Sequence, residues 1–156
     1  MRRGIVCLLV VFCLLTGCAD GYPEGIKIAC KDLQVTIPGD FIDLSNEDIG
    51  DGDFLYGRNT LIFTGLAEDK TTLQEMTLDE YTAYVINGNQ LTCTPTVYGS
   101  GYLFSYEANV GDTPYTYTIV TGEGTDNFWI LQFYCPSEDL AENQPEIDMI
   151  LSALEF

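Results

Sequence analysis

The 156-residue sequence contains no histidine and only 6 basic residues. Without histidine it lacks the commonest general base and the commonest metal ligand, and no imidazole is present to activate its serines or cysteines. No Gly-x-Gly-x-x-Gly or phosphate-loop pattern stands between a strand and a helix, so nucleotide chemistry has no support. No two of the 6 cysteines form a Cys-x-x-Cys pair, which removes thiol redox catalysis and zinc-ribbon sites. No apolar run is long enough to span a bilayer. With 46% hydrophobic and 19% charged residues, the composition excludes disorder, collagen-like repeats and coiled coil. The length suits one domain. Two carboxylates suffice for glycoside hydrolysis, but with 24 acids a pair means little, and none stands alone in an apolar stretch. The sequence therefore speaks against an enzyme.

What is present begins at the N-terminus. Met1-Arg2-Arg3-Gly4 precedes an apolar run from Ile5 to Leu15. As a helix that run measures roughly 16 Å, about half of the hydrocarbon core, so it can engage an export machinery but cannot span. It ends in Leu15-Thr16-Gly17-Cys18, which resembles the lipobox of bacterial lipoproteins at all four positions. The resemblance implies that a diacylglyceryl group is attached to the Cys18 thiol and that the chain is cut just before it. Residues 1–17 are then a signal peptide, 18–25 a lipidated cysteine with a short tether, and 26–156 a single folded domain. Two acyl chains make release negligible at ~0.8 kcal/mol per buried methylene, so the bilayer is the first expected partner. The expected location is the extracytoplasmic face of the cell membrane. Seven residues from Ala19 to Gly25 reach roughly 25 Å at full extension, which keeps the domain close to the lipid surface.

Arg2 and Arg3 are the only charged residues before Cys18, so losing the leader takes the net charge from −18 to −20. Such a field repels nucleic acid and anionic headgroups and attracts cations and basic proteins. Cys30, Cys93 and Cys135 remain after cleavage, an odd number that permits at most one internal disulfide. Cys135 alternates with Trp129, Leu131 and Phe133 and reads as a buried thiol.

Within the domain, Ile26, Ile28, Cys30 and then Leu33, Val35, Ile37 alternate around Lys31-Asp32, a two-residue hairpin turn. An acidic loop over 40–53 and a strand near Phe54–Thr64 follow. Thr77-Leu78-Asp79-Glu80 is a capping box that opens a helix over Met76–Gly88, with Met76 and Tyr81 as a hydrophobic staple. Four strands are expected next, near Gln90–Tyr98, Gly101–Val110, Tyr115–Thr121 and Asn127–Cys135, joined by short Gly-containing turns into an antiparallel meander. The last is apolar on both faces and should be central. A closing helix is expected with Pro145 as its first residue and Ile147, Ile150, Leu151 and Leu154 on its apolar stripe. The fold class is α+β, an antiparallel meander with helices packed on its faces.

The order of these elements resembles the PsbP-like fold. Leu33-Gln34-Val35-Thr36-Ile37-Pro38 with Phe41, Leu78-Asp79-Glu80-Tyr81, Phe128-Trp129-Ile130-Leu131 and the closing Ile150–Phe156 segment carry the likeness. It implies an α-β-α sandwich over about residues 26–156. Members include the extrinsic photosystem II protein and many small bacterial lipoproteins, which serve as binding or assembly modules for varied partners. The resemblance assigns no functional residue.

Two groups remain as candidate sites. Asp48, Asp51 and Asp53, with Gly50 and Gly52 between them, offer oxygens on a tight turn and could hold calcium, although the spacing is not that of an EF-hand. Tyr102, Tyr106, Tyr115 and Tyr117 cluster in the meander and could form a ligand platform. The expected function is a non-catalytic binding or accessory module for a protein or envelope component. The alternative is a module for carbohydrate or cell-wall fragments that uses the tyrosines, with calcium as an aid.

Overall fold

The computed structural model describes residues 24–47, 52–73 and 76–156. β1 (Ile26–Cys30) and β2 (Leu33–Ile37) form a hairpin about Lys31-Asp32, with Lys31 at a φ of 51°. The rest builds one seven-stranded sheet from β3 (Ile42–Asp43), β4 (Phe54–Arg58), β5 (Leu61–Asp69), β6 (Thr96–Tyr98), β7 (Gly101–Val110), β8 (Thr113–Glu123) and β9 (Asn127–Pro136). Their order is β3-β4-β5-β9-β8-β7-β6, and every neighbouring pair is antiparallel. Helix α1 (Leu78–Gly88) lies on one face, and α2 (Leu140–Ser152) with the β1–β2 hairpin covers the other. The fold is α+β in three layers.

β9 is central, as its two apolar faces require. Trp129, Leu131, Phe133 and Cys135 point into the larger core beside Phe63, Ile147, Ile150 and the hairpin's Leu33, Val35 and Ile37. Phe63 and Phe133 stack there with ring centroids 4.5 Å apart. Phe128 faces the other way, into the α1 core. Cys135 is buried, and all three cysteines of the domain are free thiols.

Asp32, the second residue of the β1–β2 turn, ties that hairpin to the sheet. One of its carboxylate oxygens accepts the backbone N–H groups of Asp126 and Asn127 at 2.7 and 3.0 Å. The other accepts the Trp129 indole N–H at 2.8 Å and the Asn127 amide at 3.0 Å.

The capping box at α1 forms as expected: the Thr77 hydroxyl accepts the Glu80 N–H, and Glu80 accepts the Thr77 N–H at 2.9 Å. Thr77→Ala is expected to cost about 1 kcal/mol, read as a lower midpoint in urea unfolding with an unchanged slope.

Several sequence expectations need correction. The segment near Phe54–Thr64 is two strands, β4 and the start of a β5 that runs on to Asp69, because Asn59 takes a φ of 52° and turns the chain back with Thr60. The loop over 40–53 carries β3, a short edge strand beside β4. Of Gln90–Tyr98 only Thr96–Tyr98 is strand, since Gln90 has a φ of 56° and Pro95 has no N–H to give a ladder. Pro145 sits inside α2, which begins five residues earlier at Leu140. The carbonyl it leaves unpaired belongs to exposed Ala141, where water can serve as donor.

Candidate functional site

The α1 face of the sheet is only partly covered, because α1 is short. Its Tyr81 stacks on Phe128 at 4.6 Å, Val85 and Ile86 pack with Phe104 and Ile119, and Thr82 shares a 2.7 Å hydrogen bond with Thr121. The Tyr81 hydroxyl donates to Glu68 at 2.5 Å, which fastens the helix to β5. Beyond the helix the sheet surface opens as a groove of about 500 Å³.

A row of tyrosines crosses this groove. Tyr106, Tyr117 and Tyr134 are cross-strand neighbours on β7, β8 and β9. Tyr106 and Tyr117 stack at 4.9 Å with planes 4° apart, and Tyr117 and Tyr134 at 5.4 Å with planes 23° apart. The centroid spacing is close to that of neighbouring strands, so the rings stand upright on the sheet. Tyr117 has a ring on each of its faces, and the row offers ring edges and hydroxyls rather than a flat platform. Burial raises the pKa of all three phenols, with neighbouring tyrosines adding to the effect, so they stay neutral hydroxyls at physiological pH.

The four tyrosines expected from the sequence therefore share one face but not one site. Tyr106 and Tyr117 line the groove. Tyr102 pairs with Thr121 at the helix-covered end, and Tyr115 lies beyond the row, opposite Ala108 and Pro136. Tyr134 completes the row and was not anticipated. The alternation Phe128, Ile130, Gln132, Tyr134 already placed it on this face, but its partners on β8 become neighbours only once the register is known. Gln132 and Asn89 contribute amides to the groove, and Leu66 and Ile130 extend its apolar wall.

Charge is distributed in the opposite sense. After Lys70 the sequence has 13 acidic residues and no basic one. Lys31, Arg58 and Lys70 are held in ion pairs with Asp53, with Asp40 and Glu146, and with Glu123. Yet no side chain lining the groove among the described residues carries a charge. It is a neutral strip on a strongly acidic domain.

Of the calcium candidates only Asp53 lies within the described residues. Asp48 and Asp51 lie outside the described residues, as does Cys18. The Asp53 carboxylate is engaged within the fold, paired with Lys31 at 2.7 Å and accepting the Ala67 N–H at 2.7 Å.

No known protein family and no curated protein matches this sequence. Solved structures do match its shape. A protein from Bacteroides thetaiotaomicron superposes with a TM-score of 0.52 at 14% identity over 86% of this chain, which spans about half (48%) of that protein. The cyanobacterial PsbP protein CyanoP from Synechocystis superposes with a TM-score of 0.51 at 11% identity, over 88% of this chain and 95% of its own. LpqN, involved in cell envelope biogenesis of Mycobacterium tuberculosis, gives a TM-score of 0.43 at 9% identity over 84% of this chain and 89% of its own. The CyanoP match shows a PsbP-like fold, and at such identities these likenesses show the fold alone.

Proposed function

We propose that this protein is a lipid-anchored extracytoplasmic module that binds a partner protein beside the membrane without catalysing a reaction. The observation that carries the binding role is the uncharged, half-covered groove on the α1 face of an otherwise acidic domain. Burial of apolar surface with hydrogen bonds from phenols and amides is the interaction such a strip can supply. The lipobox-like Leu15-Thr16-Gly17-Cys18 supports the location, and the short tether would keep the groove near the bilayer. The CyanoP-like fold agrees with a non-catalytic accessory module. Stacking on a sugar is the weaker reading, because Tyr117 has no free ring face.

Two measurements test the two halves of the proposal. Wild-type protein labelled with radioactive palmitate in cells should take up label and sediment with membranes. Cys18→Ser should lose both, and retention of label by that variant removes the anchor. A photo-crosslinker placed at Leu66, which is 40% exposed at the groove, should capture a discrete protein partner in cells. The same group at Lys27 on β1 should not. Equal products from the two positions would remove the groove as a binding surface.

A further inference from the structure

The groove ends at a sheet edge that is only partly paired. β6 pairs with β7 over Gly101, Tyr102 and Leu103 and then stops, while β7 continues to Val110. Two hairpins fix which backbone groups point outward. The β7–β8 turn is the two-residue Gly111-Asp112, which makes Val110↔Thr113 a hydrogen-bonded pair. By alternation Ala108, Tyr106 and Phe104 also bond to β8. The β6–β7 turn, Gly99-Ser100, gives the same phase from the other side, with Gly101 and Leu103 directed at β6. Pro114, opposite Asn109 in a pair that exchanges no hydrogen bonds, fits that phase. Hence the N–H and C=O groups of Ser105, Glu107 and Asn109 face away from the sheet. Among the described residues no backbone or side-chain hydrogen bond joins them. All three residues are exposed.

We propose that this edge receives an extended segment of a partner protein as an added antiparallel or parallel strand, rich in lysine or arginine. The inference rests on the protein-binding reading above and names how the partner is held. Six backbone groups in register, those of Ser105 beside the Thr92–Thr94 segment and those of Glu107 and Asn109 further along the edge, offer the main-chain bonds of strand addition. The added strand would continue the sheet, so every second side chain would lie on the α1 face against Tyr106 and Val110, which belong to both the edge and the groove. Those positions call for uncharged side chains. The alternate positions would lie beside Ser105, Glu107 and Asn109, with Asp112 at the adjacent turn, in a half of the sequence that has no basic residue at all. Lysine or arginine complements them. A second copy of this chain fits poorly: antiparallel pairing centred on the edge would set Glu107 against Glu107, and both copies carry a large negative charge.

The test uses the full-length lipidated protein in detergent micelles and a synthetic peptide of about eight residues that alternates lysine with valine. Binding should slow hydrogen exchange at the Ser105, Glu107 and Asn109 amides and leave the already protected Phe104, Tyr106 and Ala108 amides unchanged. Glu107→Pro removes an outward N–H that β8 does not use, so the fold should survive while peptide affinity falls tenfold or more. Asn109→Pro serves the same purpose if that variant does not fold. The counterpart peptide alternating glutamate with valine should not bind. Unslowed exchange at the three amides, unchanged affinity in the folded proline variant, or equal binding of the glutamate peptide overturns the proposal. So does slow exchange at these amides in a peptide-free dimer, which would make a second copy the occupant. Persistence of the Leu66 crosslink in cells carrying Glu107→Pro would leave the groove reading standing while removing the edge.

Discussion

Replacing Asp32 with alanine is expected to lower the stability of the domain by about 3 kcal/mol, or roughly 10 °C in the thermal midpoint. The loss would come from what stays behind. The indole N–H of fully buried Trp129, the amide of Asn127 and the backbone N–H groups of Asp126 and Asn127 would all lose their acceptor. Gly124 packs directly against this carboxylate, so the alanine would also leave a gap between hairpin and sheet. The same carboxylate gives the stability an acid limb. Burial pushes its pKa up, but the hydrogen bonds from Asp126, Trp129 and Asn127 outweigh that and hold it at about 2, against an ordinary 3.8. A group with a depressed folded pKa contributes fully above the unfolded value and loses that contribution as pH falls through the folded one. About 2 kcal/mol should therefore disappear between pH 4 and pH 2 in the wild type. Urea unfolding of Asp32→Ala over the same range should be flatter by that amount. Equal slopes in the two proteins would show that another carboxylate carries the acid sensitivity.

Tyr81→Ala is expected to cost about 4 kcal/mol, because it removes a fully buried ring that stacks on Phe128 and the hydroxyl that holds Glu68. Tyr81→Phe keeps the stack and should cost nearer 1 kcal/mol. The two variants separate packing from hydrogen bonding at the one residue that anchors α1 to both β9 and β5. They also connect stability with function. With α1 loosened, the groove loses Val85 and Asn89 from its wall. The alanine variant should then lose the Leu66 crosslink even at temperatures where far-ultraviolet circular dichroism shows the sheet intact. The phenylalanine variant should keep it. Capture at wild-type level in the alanine variant would mean that α1 plays no part in forming the site.

The features legible in the sequence are those set by neighbours a few residues apart. The capping box, the Lys31-Asp32 turn, the Gly-punctuated meander and the two apolar faces of β9 were all visible because the responsible residues lie within one turn or one strand. Pro145 misled because proline favours a first helical position, whereas here solvent exposure makes an interior position tolerable. Three further features depend on how separate segments pair. Asp32 reads as an ordinary turn residue, and its partners lie more than ninety positions away. The tyrosine row needs β9 placed beside β8 in one register before Tyr134 can meet Tyr117, and the free edge of β7 follows from β6 being three residues long. The groove is a result of α1 being shorter than the sheet is wide, which is a property of the assembly.

The central place of β9 also bears on how the chain reaches this state. β5 finds its neighbour on one side within a tight turn, but its other neighbour lies about seventy residues further on, with Ile62 opposite Tyr134. During synthesis, β4 and β5 emerge long before the strand that joins them to β8. Until then the polypeptide holds two incomplete half-sheets with bare margins, and contacts at such separation make closure slow. The late arrival of β9 thus sets the pace of compaction, because the two half-sheets can merge only once residues 127–136 have joined them.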